Sequence, residues 1–567
     1  MKTKLLLLSS ALACATLAQA QTPAITNVTN AASYAAKGLP GSGIAQGSIF
    51  TVFGSNLGPA TLVQAGAPRP TAAGLSGTRV RITVSGTNYD APMIYSSRTQ
   101  VAAIMPSNVP LTAQANVVVL VNDTPSSPFP VAVVRYAPGI YTLNSAGTGP
   151  GVVTDANYVP VTFTAALNPG QAGIIWMNGL GGTTASEDIN GAAGAIPNLA
   201  QVEVFIGGKT AQVLYAGRTP GFTGLDQVNF TVPSDLEGCA VPLVIRQNGG
   251  NGVVSNFVSI SVARSGRTCR DRGFTEAEFQ SAASGSMRMG ALSLGRTTIK
   301  TSAGGFDMQT RLDIGSGSFF RFDYNALIRS SSVAEPPAGA CTVSTFGGET
   351  EPTDPAFALF TPLDAGNTIG VNGPNGPKVL DRQSGPEGRG TYYAKLGGGI
   401  TISGLPGGIP GLPGGNNLPD YLSAGTYTLT GTGGADVGAF TATLNYPQPL
   451  TWTNEAAITS VNRTQNLNVT WSGGAPSDLV VITGTSTNTN PTVGGSFICY
   501  STAAAGGFTV PSWVLSALPA SAVIEGTPTG MLMVGSTSSE PSRFNASGID
   551  IGVVSYFNYG GKNVNFQ

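Results

Sequence analysis

Hydrophobic and polar residues alternate along most of this chain, in short runs that end at glycines. VRITVSG at 80–86 and VEVFIGG at 202–208 are two clear examples. A period of two places successive side chains on opposite faces of a strand, and helical periodicity is almost absent between residues 24 and 263. The pattern therefore predicts an all-β chain built from short strands and tight turns.

The same order of runs occurs twice. IAQGSIFTVFGSNLG at 44–58 corresponds to LNPGQAGIIWMNGLG at 167–181. Further on, APMIYSSRTQVAAIMP at 91–106 corresponds to QVLYAGRTPGFTGLDQVNFTVP at 212–233. The second copy carries the insertion PGFTGLD before the shared Gln-Val. The N-terminal half of the chain is therefore a duplicated unit.

Each copy has the size and strand content of an immunoglobulin-like sandwich. A sandwich of this type needs about seven short strands in about 100 residues, and each copy offers about six or seven alternating runs. We therefore predict tandem immunoglobulin-like β-sandwich domains, module 1 at residues 24–134 and module 2 at residues 145–263. The glycines at the ends of the repeated runs are expected to form turns, because no helix pattern follows them as in a phosphate-binding loop.

GSIFTVFGSNLG at 47–58 resembles the opening strand of IPT/TIG immunoglobulin-like domains. The pair of modules resembles a family of uncharacterised exported acidobacterial proteins with paired IPT/TIG-like modules. Its motifs N-A-A-S-Y, P-G followed by G-L-G, and A-G-x-x-P-G-x-x-G-L-x-Q-V-N stand here at 30–34, 169–181 and 216–229. The resemblance covers residues 24–263 and implies the fold, but it brings no established activity. In that family the pair usually lies at the C-terminus, whereas about 300 residues follow it here.

A polar stretch and a short helix separate the modules from the C-terminal half. This linker is predicted at residues 264–284, where Thr275 and Glu278 have the spacing of a helix capping box. The strand pattern then resumes. We predict a β-rich domain at residues 285–449 and a C-terminal β domain at residues 450–567.

Turn residues between alternating runs predict three hairpins in the C-terminal half. They are expected around Gly315-Ser316-Gly317, around residues 431–436 and within residues 467–484. Residues 397–418 are rich in glycine and proline and are predicted to form a surface loop outside the core.

Residues 1–20 have the features of a signal peptide. Two lysines precede the apolar run Leu5–Leu12, and Ala18-Gln19-Ala20 fits the cleavage rule. Cleavage near Ala20 predicts a secreted or cell-surface protein, periplasmic or extracellular. A lipoprotein with Cys14 as its anchor is the less favoured alternative. No later apolar run reaches the ~18 residues that a membrane-spanning helix needs.

Four cysteines remain after cleavage, and an even number in an exported protein favours disulfides over metal binding. Four cysteines allow three pairings. We favour Cys239–Cys269, which would bracket the last strands of module 2, and Cys341–Cys499 then follows by elimination. The second disulfide would join the two C-terminal domains, which could then fold as one unit.

Composition excludes several classes of function. The chain has no histidine, so catalytic triads with histidine and zinc sites with histidine ligands are excluded. Its net charge is −1 and it has no Lys/Arg run, which gives no sign of a nucleic-acid partner. No sequence motif indicates a cofactor or a metal site.

Carboxylates and aromatic side chains remain as candidates for chemistry or binding. A glycosidase needs two carboxylates in one cleft. The carboxylates considered are Asp313, Asp323, Glu349, Glu351 and Asp354. Exposed aromatic side chains bind sugars or polymers by stacking. The residues considered for this are Trp452, Trp471, Trp513 and Tyr392-Tyr393. A sandwich core needs large apolar side chains, however, so a core position is expected for the tryptophans, above all for Trp176 in the repeated strand.

The sequence thus predicts an exported, non-catalytic protein of tandem β-sandwiches that serves in binding, adhesion or surface assembly. Its expected partner is an extracellular polysaccharide or another surface protein. The alternative is an extracellular carbohydrate-active enzyme that uses paired carboxylates in the C-terminal half.

Overall fold

A computed structural model describes most of the chain. The described residues are 22–184, 187, 195–196, 199–250, 252–303, 306–330, 335–347, 360–385, 387–403, 418–489 and 492–567. About 52% of the structure is strand and about 5% is helix, which confirms the predicted all-β class. The predicted signal peptide and residues 404–417 of the predicted loop lie outside the described residues. The prediction of a loop is wrong for Ile400–Ser403, which form a strand paired with residues 307–310. Among the described helices, none is long and apolar enough to cross a bilayer.

Module 1 is a sandwich of two sheets. Its strands are β1 Ala24–Asn30, β2 Ile44–Ala45, β3 Ile49–Ser55, β4 Val63–Gln64, β5 Thr78–Val84, β6 Thr87–Asp90, β7 Met93–Ser96, β8 Gln100–Ile104, β9 Thr112–Val121, β10 Thr124–Pro125 and β11 Phe129–Val134. One sheet has the order β1-β3-β8-β7-β4 and the other the order β2-β11-β9-β5-β6. Alternate residues of both sheets, such as Phe50, Val80 and Val117, form the core between them. The period-two pattern therefore buries one face of each sheet, as expected.

Module 2 repeats this arrangement with one change. Its strands are β12 Gly139–Ile140, β13 Gly149–Pro150, β14 Val153–Asp155, β15 Ala172–Asn178, β16 Val202–Ile206, β17 Lys209–Arg218, β18 Asp226–Thr231, β19 Gly238–Gln247, β20 Val253–Val254 and β21 Val258–Val262. The strand order is β12-β15-β18-β17-β16-β19-β21-β13, because the long strand β17 pairs with both β18 and β16. One strand thus joins the two layers of the sandwich around a single core.

The strand registers of the two modules match. Phe53 lies opposite Gln100 in module 1, and Trp176 lies opposite Gln227 in module 2. In each module a short strand also pairs in parallel with the last strand, β2 with β11 and β13 with β21. The duplication read from the sequence is therefore a duplication of the fold.

The linker contains the predicted helix. Helix α1 spans Glu276–Ala283, and both hydrogen bonds of the Thr275/Glu278 capping box are present. Two shorter helices follow, α2 Tyr324–Leu327 and α3 Ser512–Leu515. Phe279 of α1 is buried and packs on Phe163 of module 2 with a ring-centroid distance of 4.9 Å. The helix thus fastens the linker to module 2.

The C-terminal half contains the remaining strands. They are β22 Ser286–Ala303, β23 Phe306–Asp323, β24 Cys341–Gly347, β25 Thr361–Pro362, β26 Thr368–Gly373, β27 Gly376–Arg382, β28 Thr391–Gly397, β29 Ile400–Ser403, β30 Gly425–Gly431, β31 Phe440–Tyr446, β32 Thr451–Trp452, β33 Ser460–Val461, β34 Leu467–Ser472, β35 Leu479–Thr489, β36 Thr492–Thr502, β37 Gly507–Val510, β38 Val523–Ile524, β39 Thr527–Pro528, β40 Met531–Thr537, β41 Ser542–Phe544, β42 Ile551–Asn563 and β43 Asn565–Phe566.

One sheet runs through most of this half, in the order β24-β36-β35-β40-β42-β22-β23-β28-β27-β26-β30-β31. Its centre is the parallel pair of β22 and β42, in which Met289 lies opposite Ile551. The predicted boundary between residues 285–449 and 450–567 therefore falls inside a single hydrogen-bonded sheet. One hydrophobic core nevertheless forms at each end of that sheet, and a third cluster packs its central strands against helix α1 and module 2.

The predicted hairpin at Gly315-Ser316-Gly317 is wrong. These residues lie in the middle of β23, which pairs along its whole length with β22. A Cβ atom on Gly315 would lie 2.5 Å from Leu380, and one on Gly317 would lie 2.9 Å from Leu292. Glycine is needed at both positions because large side chains pack directly on the strand. In the sequence, glycines of this kind look the same as glycines that form a turn.

The two other predicted hairpins have different outcomes. The hairpin around residues 431–436 is confirmed, since β30 and β31 pair in antiparallel register on either side of it. The hairpin within residues 467–484 is wrong: β34 pairs with β32 and β37, whereas β35 pairs with β36 and β40. Gly473 and Gly474, both with positive φ, instead carry the chain from one sheet to another.

Both disulfides are present with the pairing favoured from sequence, Cys239–Cys269 and Cys341–Cys499. Cys341 lies directly opposite Cys499 between β24 and β36, and both side chains are buried. The bond therefore ties the edge strand β24 to its neighbour in the large sheet.

The three parts of the chain contact one another through buried groups. Between the modules, the Asn178 side-chain amide donates to the Ile49 carbonyl at 2.9 Å. Between module 2 and the C-terminal half, Trp513 stacks on Phe205 and Phe257 with ring-centroid distances of 5.0 and 5.8 Å. These contacts hold the two modules and the large sheet together.

Candidate functional site

The aromatic residues selected from the C-terminal half are mostly structural. Trp452 and Trp471 are buried in the core, which confirms the core prediction for them. Trp513 is partly buried in its stack between module 2 and the large sheet, and Tyr392 is fully buried. Tyr393 alone of this set is exposed, at 41%. These residues do not form a shared surface.

Asp313 and Asp323, the two described carboxylates among the sequence candidates, do not form a catalytic pair. Asp313 is buried and accepts hydrogen bonds from Arg296 and from the backbone of Tyr421 and Leu422. Asp323 caps helix α2. Ten residues separate the two aspartates on one strand, a distance of roughly 30 Å and far beyond glycosidase spacing. Glu349, Glu351 and Asp354 lie outside the described residues. Where the structure is described, His, Cys, Asp and Glu side chains do not form a metal-binding group of three.

The prediction of a core position for Trp176 is wrong. Ile175 and Met177, its neighbours on β15, point into the core of module 2, so Trp176 lies on the opposite, outer face of the sheet. That face is only partly covered. Trp176 forms the floor of a shallow groove, where the side chain of Gln227 lies beside it on the next strand.

We call this feature the aromatic groove. It has a volume of about 520 Å³ and is lined by Tyr158, Trp176, Tyr215, Thr219, Pro220, Phe222, Gln227 and Asn229. Three of its four aromatic side chains are exposed, Tyr158 at 66%, Phe222 at 55% and Tyr215 at 39%. A cluster of exposed aromatic side chains around a concave surface is a common feature of binding sites.

A tight turn positions Tyr158. The Asp155 carboxylate accepts hydrogen bonds from the backbone of Asn157 and Val159, and Tyr158 between them has a φ of 64°. The Tyr158 ring is thereby held against Trp176, with centroids 6.2 Å apart and planes inclined by 35°. The Trp176 indole N–H donates to the Thr154 hydroxyl at 3.2 Å, which fixes the second ring.

Hydrogen bonding and a glycine fix Tyr215 on the other side of the groove. Its hydroxyl donates to the Arg218 carbonyl at 2.6 Å, and burial raises the pKa of that hydroxyl. A Cβ atom on Gly217 would lie 3.0 Å from the Tyr215 hydroxyl oxygen. Glycine at this position therefore leaves the space that the tyrosine side chain crosses.

The insertion seen in the sequence of module 2 supplies the third wall. Residues 219–225 form a loop closed by a hydrogen bond from the Thr219 amide to the Leu225 carbonyl at 2.9 Å. This loop carries Pro220 and Phe222 to the groove. Since module 1 lacks the insertion, the loop distinguishes the two copies.

The matching face of module 1 is more covered. Tyr95 lies opposite Ala102 in module 1. This pair corresponds to Tyr215 and Asn229, which lie opposite each other in module 2. Tyr95 is half-buried, and burial raises its pKa to about 12. Open aromatic side chains in this position are therefore a property of module 2.

Comparison with known proteins gives no family. No family model matches the chain, and no curated protein matches it. Weak similarities to solved structures exist. The surface-layer protein SbsC, domains 4–9, is 9% identical with a TM-score of 0.17, covering 94% of this chain and 83% of that chain. The full ectodomain of mouse nectin-like molecule 4 (Ig1–Ig3) is 10% identical with a TM-score of 0.14, covering 71% and 95%.

The extracellular region of plexin A4 is 11% identical with a TM-score of 0.14 and covers 69% of this chain. The match spans only 30% of the plexin chain.

Proposed function

We propose that this chain is an exported, non-catalytic binding protein, and that the aromatic groove of module 2 is its ligand-binding surface. The signal-peptide pattern and the two disulfides support export, because disulfides form and persist in oxidising compartments. The ligand is then an extracellular molecule, a polysaccharide or another surface protein. The chain would serve adhesion or surface assembly by holding that ligand.

One observation supports this proposal above all: aromatic side chains held by hydrogen bonds are exposed together on one concave surface. Trp176 and Tyr215 lie on neighbouring regions of a paired sheet, and each donates a hydrogen bond to the scaffold. Side chains that are already ordered lose little conformational entropy on binding. The groove therefore has the rigidity expected of a recognition surface rather than of a surface left open by chance.

Truncation of one groove side chain should weaken binding. We expect Tyr215→Ala to reduce affinity for the extracellular ligand by about tenfold or more, since aromatic residues are the usual hot spots of binding surfaces. Tyr393→Ala is the matched control, because Tyr393 has nearly the same exposure, 41% against 39%, and lies in the C-terminal half. The measurement is co-sedimentation of both variants with a panel of insoluble polysaccharides and with a surface-protein fraction.

Equal binding by Tyr215→Ala and the unsubstituted protein would rule out the groove as the ligand site. Release of soluble sugar from a polysaccharide of the panel at an enzymatic rate would favour the carbohydrate-active enzyme instead.

A further inference from the structure

We infer that the aromatic groove takes an uncharged carbohydrate, a segment of a neutral polysaccharide. This inference rests on the proposed function and specifies its ligand. It follows from the charge, the size and the polar groups of the groove.

The described lining of the groove is uncharged. None of the described residues that line it is Asp, Glu, Lys or Arg. Module 2 contributes a buried carboxylate to each of two ion pairs, Arg218 with Asp226 at 2.9 Å and Arg267 with Asp155 at 3.3 Å. None of these four residues lines the groove. A charged ligand would lose hydration in the groove without gaining a counter-charge, which is unfavourable. The lining therefore selects for a neutral ligand.

The groove has the size of a site for a small ligand. A volume of about 520 Å³ is within the range of sites for small ligands, roughly 300–1,000 Å³. A stable protein partner needs about 800 Å² of surface on each side, which eight lining residues do not provide. A glycan chain presents small repeating units, and one or two of them match a groove of this size.

The groove presents aromatic ring faces next to side-chain amides. The C–H face of a pyranose stacks on an aromatic ring, and the rings of Tyr158 and Trp176 lie side by side at 6.2 Å. Between Trp176 and Tyr215, the Gln227 amide donates to Asn229 at 2.8 Å. Each amide has further donor and acceptor positions, which suit hydroxyl groups because these both donate and accept. The groove thus combines stacking for one face of a sugar with hydrogen bonds for its edge.

The test is binding of the full chain after residue 20 to three soluble probes. The probes are a neutral hexose polysaccharide series, a uronic-acid polysaccharide series and a surface-protein fraction, each titrated by calorimetry. We expect binding to at least one neutral glycan, weakened tenfold or more by Trp176→Ala and severalfold by Gln227→Ala. The dissociation constant should change less than about twofold between roughly 0.05 and 0.5 M salt, because a neutral ligand is not screened.

Trp176→Phe provides a second variant that keeps a ring in place, and it should retain most of the affinity. Loss of affinity counts only for variants whose thermal unfolding matches that of the unsubstituted protein. Failure to bind any neutral glycan would overturn the inference. If the chain binds only the uronic-acid or the protein probe, and Tyr215→Ala abolishes that binding, the inference is overturned but the proposed function stands. Binding that no groove variant weakens would refute both.

Discussion

Replacement of Asp313 by asparagine should lower the free energy of unfolding of the C-terminal half by about 3–5 kcal/mol. The Asp313 carboxylate is fully buried and forms two hydrogen bonds with Arg296, at 2.6 and 2.7 Å. It also accepts from the backbone amides of Tyr421 and Leu422. Asparagine keeps the shape but removes the buried counter-charge of the mostly buried Arg296 guanidinium, which then faces only the partly exposed Asp420 carboxylate at 3.8 Å among its described ion-pair partners. Removing one partner of a buried pair is costly for that reason.

Glu455→Gln is the control for this substitution. Glu455 pairs with Lys300 at 2.8 Å, but the lysine side chain is 53% exposed, so the change should cost less than about 1 kcal/mol. Denaturant unfolding of both variants, followed by circular dichroism, measures the two costs. Equal costs would show that burial of the Asp313–Arg296 pair does not matter to the fold.

The same pair sets a dependence on pH. Burial acts to raise the pKa of Asp313, but hydrogen bonds from Arg296 and the backbone outweigh it and hold the pKa below its usual value of 3.8. A carboxylate with a lowered pKa contributes stability above the unfolded-state value, and that contribution is lost as the pH falls through the folded-state value. At acidic pH, the free energy of unfolding should therefore fall less steeply with decreasing pH in Asp313→Asn than in the unsubstituted protein.

Removal of the Cys341–Cys499 disulfide should be the second large effect. The bond closes a loop of 158 residues. The loss of chain entropy in the unfolded state gives an upper value of about 5 kcal/mol for its stabilisation, and removal of native disulfides typically costs about 2–5 kcal/mol. It also holds the edge strand β24 to the large sheet. We expect Cys341→Ala with Cys499→Ala to unfold at clearly lower denaturant concentration.

The Cys239–Cys269 pair is the comparison, since its sequence separation is only 30 residues and its expected contribution is smaller, about 3.5 kcal/mol at most. Denaturant midpoints of the two double variants measure the difference. A thiol assay on the exported protein should find no free thiols, and four thiols would contradict both disulfides.

Local pattern was sufficient for the strands and the duplication. Alternation within a run, as at residues 80–86 and 202–208, shows which residues share a face, and the repeated order of runs shows that two units share a fold. The matched pairs Phe53–Gln100 and Trp176–Gln227 confirm this to the level of register. These features are local, so one sequence contains them.

The same pattern does not show which strands pair when they are distant in the sequence. The runs within residues 467–484 alternate as a hairpin would, but nothing in them indicates that they enter different sheets. Gly315 and Gly317 read as a turn because the side chains that need their space, such as Leu380, come from distant strands. Contacts of that kind depend on tertiary packing.

The aromatic groove was missed although a signal for it exists. In GIIWM, Ile175 and Met177 alternate with Trp176, so if the former two face the core, the tryptophan must lie on the outer face. The insertion PGFTGLD at residues 220–226 marks the same region as the difference between the copies. A sandwich core usually takes up large aromatic side chains, and this general rule predicts the wrong face for Trp176.

The most direct test of the groove is the fluorescence of Trp176 during a ligand titration. The chain has four tryptophans, of which Trp452 and Trp471 are buried and Trp513 is stacked within the fold. Trp176 in the groove is therefore the one that a bound ligand should desolvate. We predict a blue shift of the emission that saturates with the calorimetric affinity and disappears in Trp176→Phe while binding persists. An unchanged spectrum at saturation, or the same shift in Trp176→Phe, would contradict a ligand site on this face of module 2.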